Sequence, residues 1–192
     1  MTKGRLEAFS DGVIAILITI MVLELGKPDA PTWQALARAG HHILIYALSF
    51  VFLGVYWNNH HHLFHVVERV SGAVLWANLH LLFWLSLIPF VTGWLGENHA
   101  DALPSAVYGA VMLGAAIAYF VLQQTIVAAQ GPHSTLKKAL GRDMKGKISP
   151  LLYVAAIALS FVNRWIADGL YVFVALMWLV PDRRIESQLN AR

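Results

Sequence analysis

Residues 6–25 read LEAFSDGVIAILITIMVLEL, and this segment decides the class of fold. These 20 mostly apolar residues would form a helix about 30 Å long, which matches the hydrocarbon core of a bilayer. The segment ends at Gly26-Lys27-Pro28, a sequence that stops a helix. Charged residues lie too close to its start for a cleaved signal peptide. We therefore expect the segment to be retained as a membrane-spanning helix.

The composition of the whole chain supports the same class. Of 192 residues, 58% are hydrophobic and 13% are charged, whereas soluble domains carry about 25% charged residues. Such a chain has too few polar side chains to cover a core with a water-soluble surface, so lipid must cover much of it. The chain has no cysteine, which excludes disulfides and thiolate metal sites and leaves the redox compartment undetermined.

The hydropathy pattern predicts an all-α integral membrane protein with six transmembrane helices per subunit. We expect residues 1–192 to form one domain, with no linker long enough to separate two. The predicted spans are about 6–25, 36–58, 70–95, 104–129, 148–166 and 168–181. The sixth is short and needs flanking residues from both sides to cross the bilayer.

The distribution of basic residues predicts that both termini are cytoplasmic. With six spans, eleven of the fourteen Lys and Arg residues fall in inner segments, as the positive-inside rule requires. The inner residues are Lys3, Arg5, Arg69, Lys137, Lys138, Arg142, Lys145, Lys147, Arg183, Arg184 and Arg192, and the outer ones are Lys27, Arg38 and Arg164. The basic segment 137–147 is interpreted as a topology determinant rather than a nucleic-acid site.

The first helix has the most unusual pattern in the chain. At 100° per residue, one of its faces carries Ile16, Thr19, Ile20 and Leu23. Asp11 lies about 140° around the helix from Ile16. We therefore expect Asp11 to brace the foot of the helix, with an arginine as its partner. The residues alone leave open whether the aliphatic face lines a pore, packs against protein or contacts lipid.

Three ordered motifs in the first half of the chain resemble those of the transmembrane protein 175 family, a family of potassium-permeable channels. Residues 5–12 read RLEAFSDG and are followed by Ala15-Ile16 and Thr19, which resembles the start of the family's first helix. Residues 56–61, YWNNHH, are similar to the motif that ends its second helix. Residues 78–90, which begin Asn78-Leu79 and include SLIPF at 86–90, are similar to its third-helix motif.

This resemblance implies a homotetrameric channel with a central pore lined by the first helix of each subunit. Ile16 would form the hydrophobic constriction, Thr19 a ring of hydroxyls linked to potassium preference, and Ile20 and Leu23 further lining. A structural network at the cytoplasmic foot is also implied, formed by Arg5, Phe9, Ser10, Asp11, Trp57, His60 or His61, and Asn78. The resemblance also implies that there is no carbonyl-lined filter loop, and the sequence contains no Thr-Val-Gly-Tyr-Gly.

The histidine content leaves a second interpretation open. The chain has nine histidines. His61 and His65 are spaced to share a helix face and could bind a zinc ion weakly. A histidine-rich membrane metal-binding protein or metalloenzyme could also recruit His41, His42 and His80. A cation-coupled transporter is a third alternative, although it would need ionisable groups at mid-membrane. We expect that the protein is not an enzyme and needs no cofactor. Potassium is the expected permeant ion, and no nucleic-acid partner is expected.

Two further expectations concern packing and charge. In the fourth span, Gly109 and Gly114 are expected to permit close approach of neighbouring helices. At the turn between the fifth and sixth spans, Arg164, Asp168 and Asn163 are expected to form a local ion pair rather than an ion vestibule.

The predicted role of Asp11 gives the first test. Asp11→Ala is expected to impair assembly, because a partner left unpaired in a low-dielectric site strongly destabilises it. The oligomeric state and thermal stability of the detergent-solubilised variant measure this. A tetramer as stable as the parent would show that Asp11 does not brace the helix.

Overall fold

The fold is taken from a computed structural model, which describes residues 2–65, 67, 70–131 and 144–179. These ranges contain eight α-helices and no strand. The helices are α1 (Lys3–Leu23), α2 (Trp33–Arg38), α3 (Gly40–His65), α4 (Gly72–Ser86), α5 (Ile88–Glu97), α6 (Ala102–Gln130), α7 (Met144–Ser160) and α8 (Arg164–Leu179).

The prediction of an all-α membrane protein is confirmed. Four helical stretches are long and apolar enough to cross a bilayer: Lys3–Leu23, Gly40–His65, Gly72–Glu97 and Ala102–Gln130. The described parts of α7 and α8 have 17 and 16 residues, so each is about 24–26 Å long at 1.5 Å per residue. That they also span the bilayer remains a prediction.

Some predicted residues lie outside the described part of the chain. They are Arg69, Lys137, Lys138, Arg142, Arg183, Arg184, Arg192 and the last two residues of the predicted sixth span, 180–181.

The second span differs from its expected limits at both ends. A short helix, α2, precedes it, and the Thr32 hydroxyl caps α2 by accepting a hydrogen bond from the Ala35 amide at 3.2 Å. The spanning helix α3 then begins at Gly40 and continues to His65, well past residue 58. Leu63 and Phe64 are buried, so packing against the core carries the helix beyond the apolar stretch.

The third span consists of two helices that meet at Leu87. Pro89 is at the start of α5, where a proline lacks an amide hydrogen and its ring crowds the carbonyl of residue 85. Leu87 ends α4, where its amide bonds to the Trp84 and Leu85 carbonyls, and it also starts α5. A proline after a stretch of helix is sufficient to produce such a break.

Close contacts of α6 with its neighbours hold the two halves of the chain together. A Cβ added to Gly114 would overlap the Trp84 indole of α4, and one added to Gly109 would overlap the Tyr171 hydroxyl of α8. Both glycines therefore permit the close approach that the sequence predicts. Small side chains at such crossings let backbones approach in a membrane, where lipid competes with side chains for apolar contact.

Buried polar side chains link helices at two further points. The Thr92 hydroxyl donates to Ser49 Oγ at 2.7 Å, and Ser49 Oγ shares a hydrogen bond with Tyr108 Oη at 3.1 Å. This joins α3, α5 and α6. Separately, the Tyr171 hydroxyl of α8 donates to the Ser105 carbonyl oxygen at 2.9 Å. These bonds satisfy groups that neither lipid nor the apolar core can solvate.

The Gly114 contact gives a test of the packing. Gly114→Ala is expected to lower stability by about 1–3 kcal/mol, because the added methyl group overpacks against Trp84. The thermal unfolding midpoint of the detergent-solubilised protein measures the effect. The matched control is Gly169→Ala in α8, where an added Cβ has no neighbour within 4 Å. Equal midpoints for the two variants would contradict this account of the α4–α6 contact.

Candidate pore face and polar network

The α1 helix has one buried face and one uncovered face in the protomer. Ile14, Leu17 and Met21 are buried in the core. On the other side, Ile16 is 56% exposed and Leu23 is 77% exposed, and Ile20 is also exposed. The four residues predicted to share a face, Ile16, Thr19, Ile20 and Leu23, are all on the side that the protomer leaves uncovered.

Thr19 is bonded to its own helix. Its hydroxyl donates to the Ile16 carbonyl oxygen at 2.8 Å. This bond uses the hydroxyl hydrogen and fixes the side chain, whereas the lone pairs of the oxygen remain. The side chain is exposed on the uncovered face of α1, so its oxygen is available to a ligand outside the protomer.

Three residues of the predicted network form a buried line between α1, α3 and α4. His60 Nε2 is 2.8 Å from Asn78 Oδ1, the Asn78 amide donates to Ser10 Oγ at 3.0 Å, and the Ser10 hydroxyl donates to the Leu6 carbonyl oxygen at 2.9 Å. All three side chains are buried. Because Asn78 Oδ1 accepts, His60 must carry its hydrogen on Nε2, and its Nδ1 is buried without a hydrogen-bond partner.

A second contact connects α1 to α3 outside this line. The Trp57 indole donates to Asp11 Oδ1 at 3.1 Å, on the exposed surface of the protomer. The Trp57 ring also lies against His61, with ring centroids 6.4 Å apart. Phe9 is 49% exposed and belongs to neither contact.

The expected pairing of Asp11 with an arginine is not formed among the described residues. In the described ranges the single ion pair joins Arg38 to Asp29 at 3.1 Å. Arg5 and Asp11 are six residues apart, so they point about 120° away from each other around α1. An Arg5–Asp11 contact would have to join different copies of the chain.

The expected Arg164–Asp168 ion pair is also not formed. Asp168 instead accepts a hydrogen bond from the Ser105 hydroxyl at 3.3 Å. The Arg164 guanidinium lies over the neighbouring Trp165 ring, 4.3 Å from its centroid. Asn163 caps the start of α8 by accepting from the Trp165 amide at 3.0 Å. The helix start, rather than an ion pair, therefore organises this turn.

The histidines that the metal-site alternative needs are distributed over the chain. His41 and His42 are at the start of α3, about 27 Å along the helix from His60. His80 accepts a hydrogen bond from the Trp84 indole at 3.0 Å. Ring centroids of His61 and His65 are 6.4 Å apart. Within the described ranges, no group of three or more His, Cys, Asp or Glu side chains is placed to hold a metal ion. A weak zinc site at His61 and His65 stays a prediction.

Sequence reasoning missed a cluster at the opposite end of α3. The His41 ring contacts His42 and His99, with centroid separations of 4.2 and 3.8 Å. The loop after α5 brings His99 to this position. Since 57 residues separate His99 from His42, no local spacing rule could have grouped them.

Known proteins match this chain over nearly its full length. The sequence profile of the family described as endosomal/lysosomal potassium channel TMEM175 matches residues 5–89. A potassium channel of Chryseobacterium sp. (strain P1-3) is 53% identical over 190 residues, with 99% of both chains covered. A potassium channel of Streptomyces collinus is 31% identical over 187 residues, covering 92% of this chain and 91% of that protein.

A solved structure has a similar fold. The crystal structure of a lysosomal potassium-selective channel TMEM175 homolog from Chamaesiphon minutus superimposes with a TM-score of 0.78 at 29% sequence identity. The match covers 93% of this chain and 96% of that chain.

The buried line of hydrogen bonds gives a test of its structural role. Asn78→Leu removes the acceptor for His60 and the donor to Ser10, and is expected to cost about 1–3 kcal/mol for each buried group left unpaired. Thermal unfolding in detergent measures the loss. Asn98→Leu is the control, because Asn98 makes a local bond to the Trp94 carbonyl at 3.1 Å in a partly exposed position. Similar losses in both variants would contradict a special contribution from the buried line.

Proposed function

The chain belongs to the TMEM175 family, and from this premise we propose that it is a potassium-permeable cation channel whose pore is lined by α1. The observation that carries the proposal is the uncovered aliphatic face of α1, with Ile16 and Leu23 exposed on a helix whose other face is fully packed. The channel needs no enzyme activity and no cofactor, and monovalent cations are its permeant species.

In this proposal the functional unit is a homotetramer, with α1 of each of four subunits at the central axis. A ring of Ile16 side chains forms the narrowest constriction and gates by excluding water. Ile20 and Leu23 continue the lining toward the end of the helix. Self-association removes the aliphatic face of α1 from solvent or lipid, which accounts for an apolar face that the protomer leaves open.

The Thr19 hydroxyls form the selective ring, one turn from the constriction. The hydrogen bond to the Ile16 carbonyl fixes each hydroxyl, and the free lone pairs replace part of the hydration shell of a passing ion. Each subunit supplies a single neutral oxygen, which is weaker than a carbonyl cage. The expected preference for potassium over sodium is therefore modest.

The membrane arrangement completes the proposal. Each subunit has six spans, with both termini in the cytoplasm and the channel in the plasma membrane of a prokaryote. The bias of basic residues supports this orientation. The partners are other copies of the chain, membrane lipid and monovalent cations, with no nucleic acid.

Polar substitution at the constriction tests the position of the pore. Ile16→Asn is expected to raise potassium flux into proteoliposomes several-fold, because a polar ring holds water where the isoleucine ring excludes it. The matched control is Ile117→Asn in α6, an exposed aliphatic position away from α1, which should leave flux unchanged. A rise in both variants, or in neither, would place the pore elsewhere.

Removal of the hydroxyl ring tests selectivity. Thr19→Val is expected to bring potassium and sodium permeation close to equality, because the methyl group offers no oxygen to the ion. Bi-ionic reversal potentials measure the ratio. Thr125→Val is the control, because Thr125 makes the same kind of local bond, from its hydroxyl to the Val121 carbonyl at 2.7 Å, but lies in α6. An unchanged ratio of potassium to sodium permeability in Thr19→Val would contradict the proposed role of Thr19 in selectivity.

A further inference from the structure

A cavity of about 340 Å³ opens beside the start of α8, between α3 and α8 and the end of α5. Its lining is mostly apolar and includes Ile45, Leu48, Leu95, Tyr171 and Val172. Small-molecule sites have volumes of about 300–1,000 Å³ and mostly apolar walls. Its size and lining therefore suit a flexible hydrocarbon chain.

The rim of the cavity has the side chains expected at a membrane interface. Leu44 and Trp165 flank the opening and are both largely exposed. An apolar residue and an interfacial tryptophan at the mouth are the side chains expected at the level where acyl chains meet headgroups. A lipid can therefore reach the cavity from the side.

Arg164 places a positive charge at the same mouth. In the described ranges no carboxylate lies within 4.0 Å of its guanidinium. Asp168, which also lines the cavity, is bonded to Ser105, so it does not neutralise Arg164 by direct contact. Among the basic residues of the predicted outer segments, Arg38 has an acidic partner in Asp29. Asp168 attracts the Arg164 charge at longer range, but the guanidinium makes no salt bridge with a described residue, so its N–H groups can donate to an anionic ligand.

The neighbouring His99 adds no full positive charge to the mouth at neutral pH. His41 and His99 line the rim. Burial, then the nearby His41 ring and the Arg164 guanidinium, lower the pKa of His99. Its ring is therefore neutral near pH 7.

We propose that this cavity is a binding site for an anionic phospholipid, with one acyl chain between α3 and α8 and the phosphate on Arg164. An apolar groove that ends at a guanidinium without a salt bridge to any described residue matches a ligand with a hydrocarbon chain and an anionic head. The proposal requires only that the protein is embedded in a bilayer, so it does not depend on the pore assigned to α1.

Lipid retention tests the site. The purified protein is delipidated and incubated at pH 7.5 with phosphatidylglycerol or phosphatidylcholine carrying identical acyl chains, and bound lipid is counted by native mass spectrometry. The parent is expected to retain phosphatidylglycerol in preference to phosphatidylcholine. Arg164→Gln should lower phosphatidylglycerol retention about fivefold, the effect of roughly 1 kcal/mol per basic residue at a membrane surface, with phosphatidylcholine unchanged.

Two further variants separate the apolar and charged parts of the site. Val172→Trp fills the cavity from its exposed wall and should reduce retention of both lipids. Lys27→Gln removes another outer positive charge that does not line the cavity, and should change neither. Equal retention of both lipids by the parent, or an Arg164→Gln variant that binds like the parent, would overturn the proposal.

A direct contact measurement decides whether a lipid or a second copy of the chain covers the opening. The chain has no cysteine, so Leu44→Cys can be labelled at a single position with bimane. Phosphatidylglycerol brominated on its acyl chains is expected to quench this label more strongly than brominated phosphatidylcholine. A label that neither lipid quenches would mean that protein covers the cavity, and the lipid site would be wrong.

Discussion

The absence of water from the hydrocarbon core constrains every part of this structure. A backbone amide or carbonyl left unpaired in lipid costs several kcal/mol, so the chain crosses the membrane as helices. The same constraint applies to side chains. Asn78 pairs with both Ser10 and His60, and Ser49 pairs with Thr92 and Tyr108. The polar groups inside the protein thus fix which helices are neighbours, whereas apolar contact alone would leave many arrangements nearly equal in energy.

The first helix is constrained on one side only. Ile14, Leu17 and Met21 hold it against the core, and the Ser10 contact fixes its rotation relative to α4. As a result, Ile16 and Thr19 are presented on the open side by packing elsewhere in the protomer. The position of the proposed constriction is therefore set before subunits meet, and assembly needs only to bring four such faces together.

The sequence was sufficient for the features that depend on local periodicity. The length and hydropathy of residues 6–25 predicted α1, and the 100° spacing correctly grouped Ile16, Thr19, Ile20 and Leu23 on one face. Gly109 and Gly114 were correctly assigned to helix packing. Helix breaks were harder to predict. The hydropathy of the third span is continuous, so it does not reveal the break between α4 and α5 near Pro89.

Charge pairing could not be predicted from proximity in the sequence. Arg164 and Asp168 are one helical turn apart, yet they do not pair. Arg164 instead contacts Trp165, and Asp168 accepts a hydrogen bond from Ser105. Arg5 and Asp11 point to different sides of one helix. His99 reaches His41 and His42 because the loop after α5 lies beside the start of α3, which is a tertiary contact. Such pairings are decided by competition among neighbours that no local pattern reveals.

The direction of the hydrogen bonds at the foot of α1 has a consequence for proton movement. The donors are ordered from His60 through Asn78 to Ser10, and the last hydrogen goes to the Leu6 carbonyl. A backbone carbonyl has no hydrogen to pass on, and the Asn78 amide does not exchange protons as a hydroxyl or imidazole does. This line of hydrogen bonds therefore ends at the Leu6 carbonyl and does not form a continuous path for protons. Proton hopping along these groups would therefore stop at His60, whose buried Nδ1 has no hydrogen-bond partner.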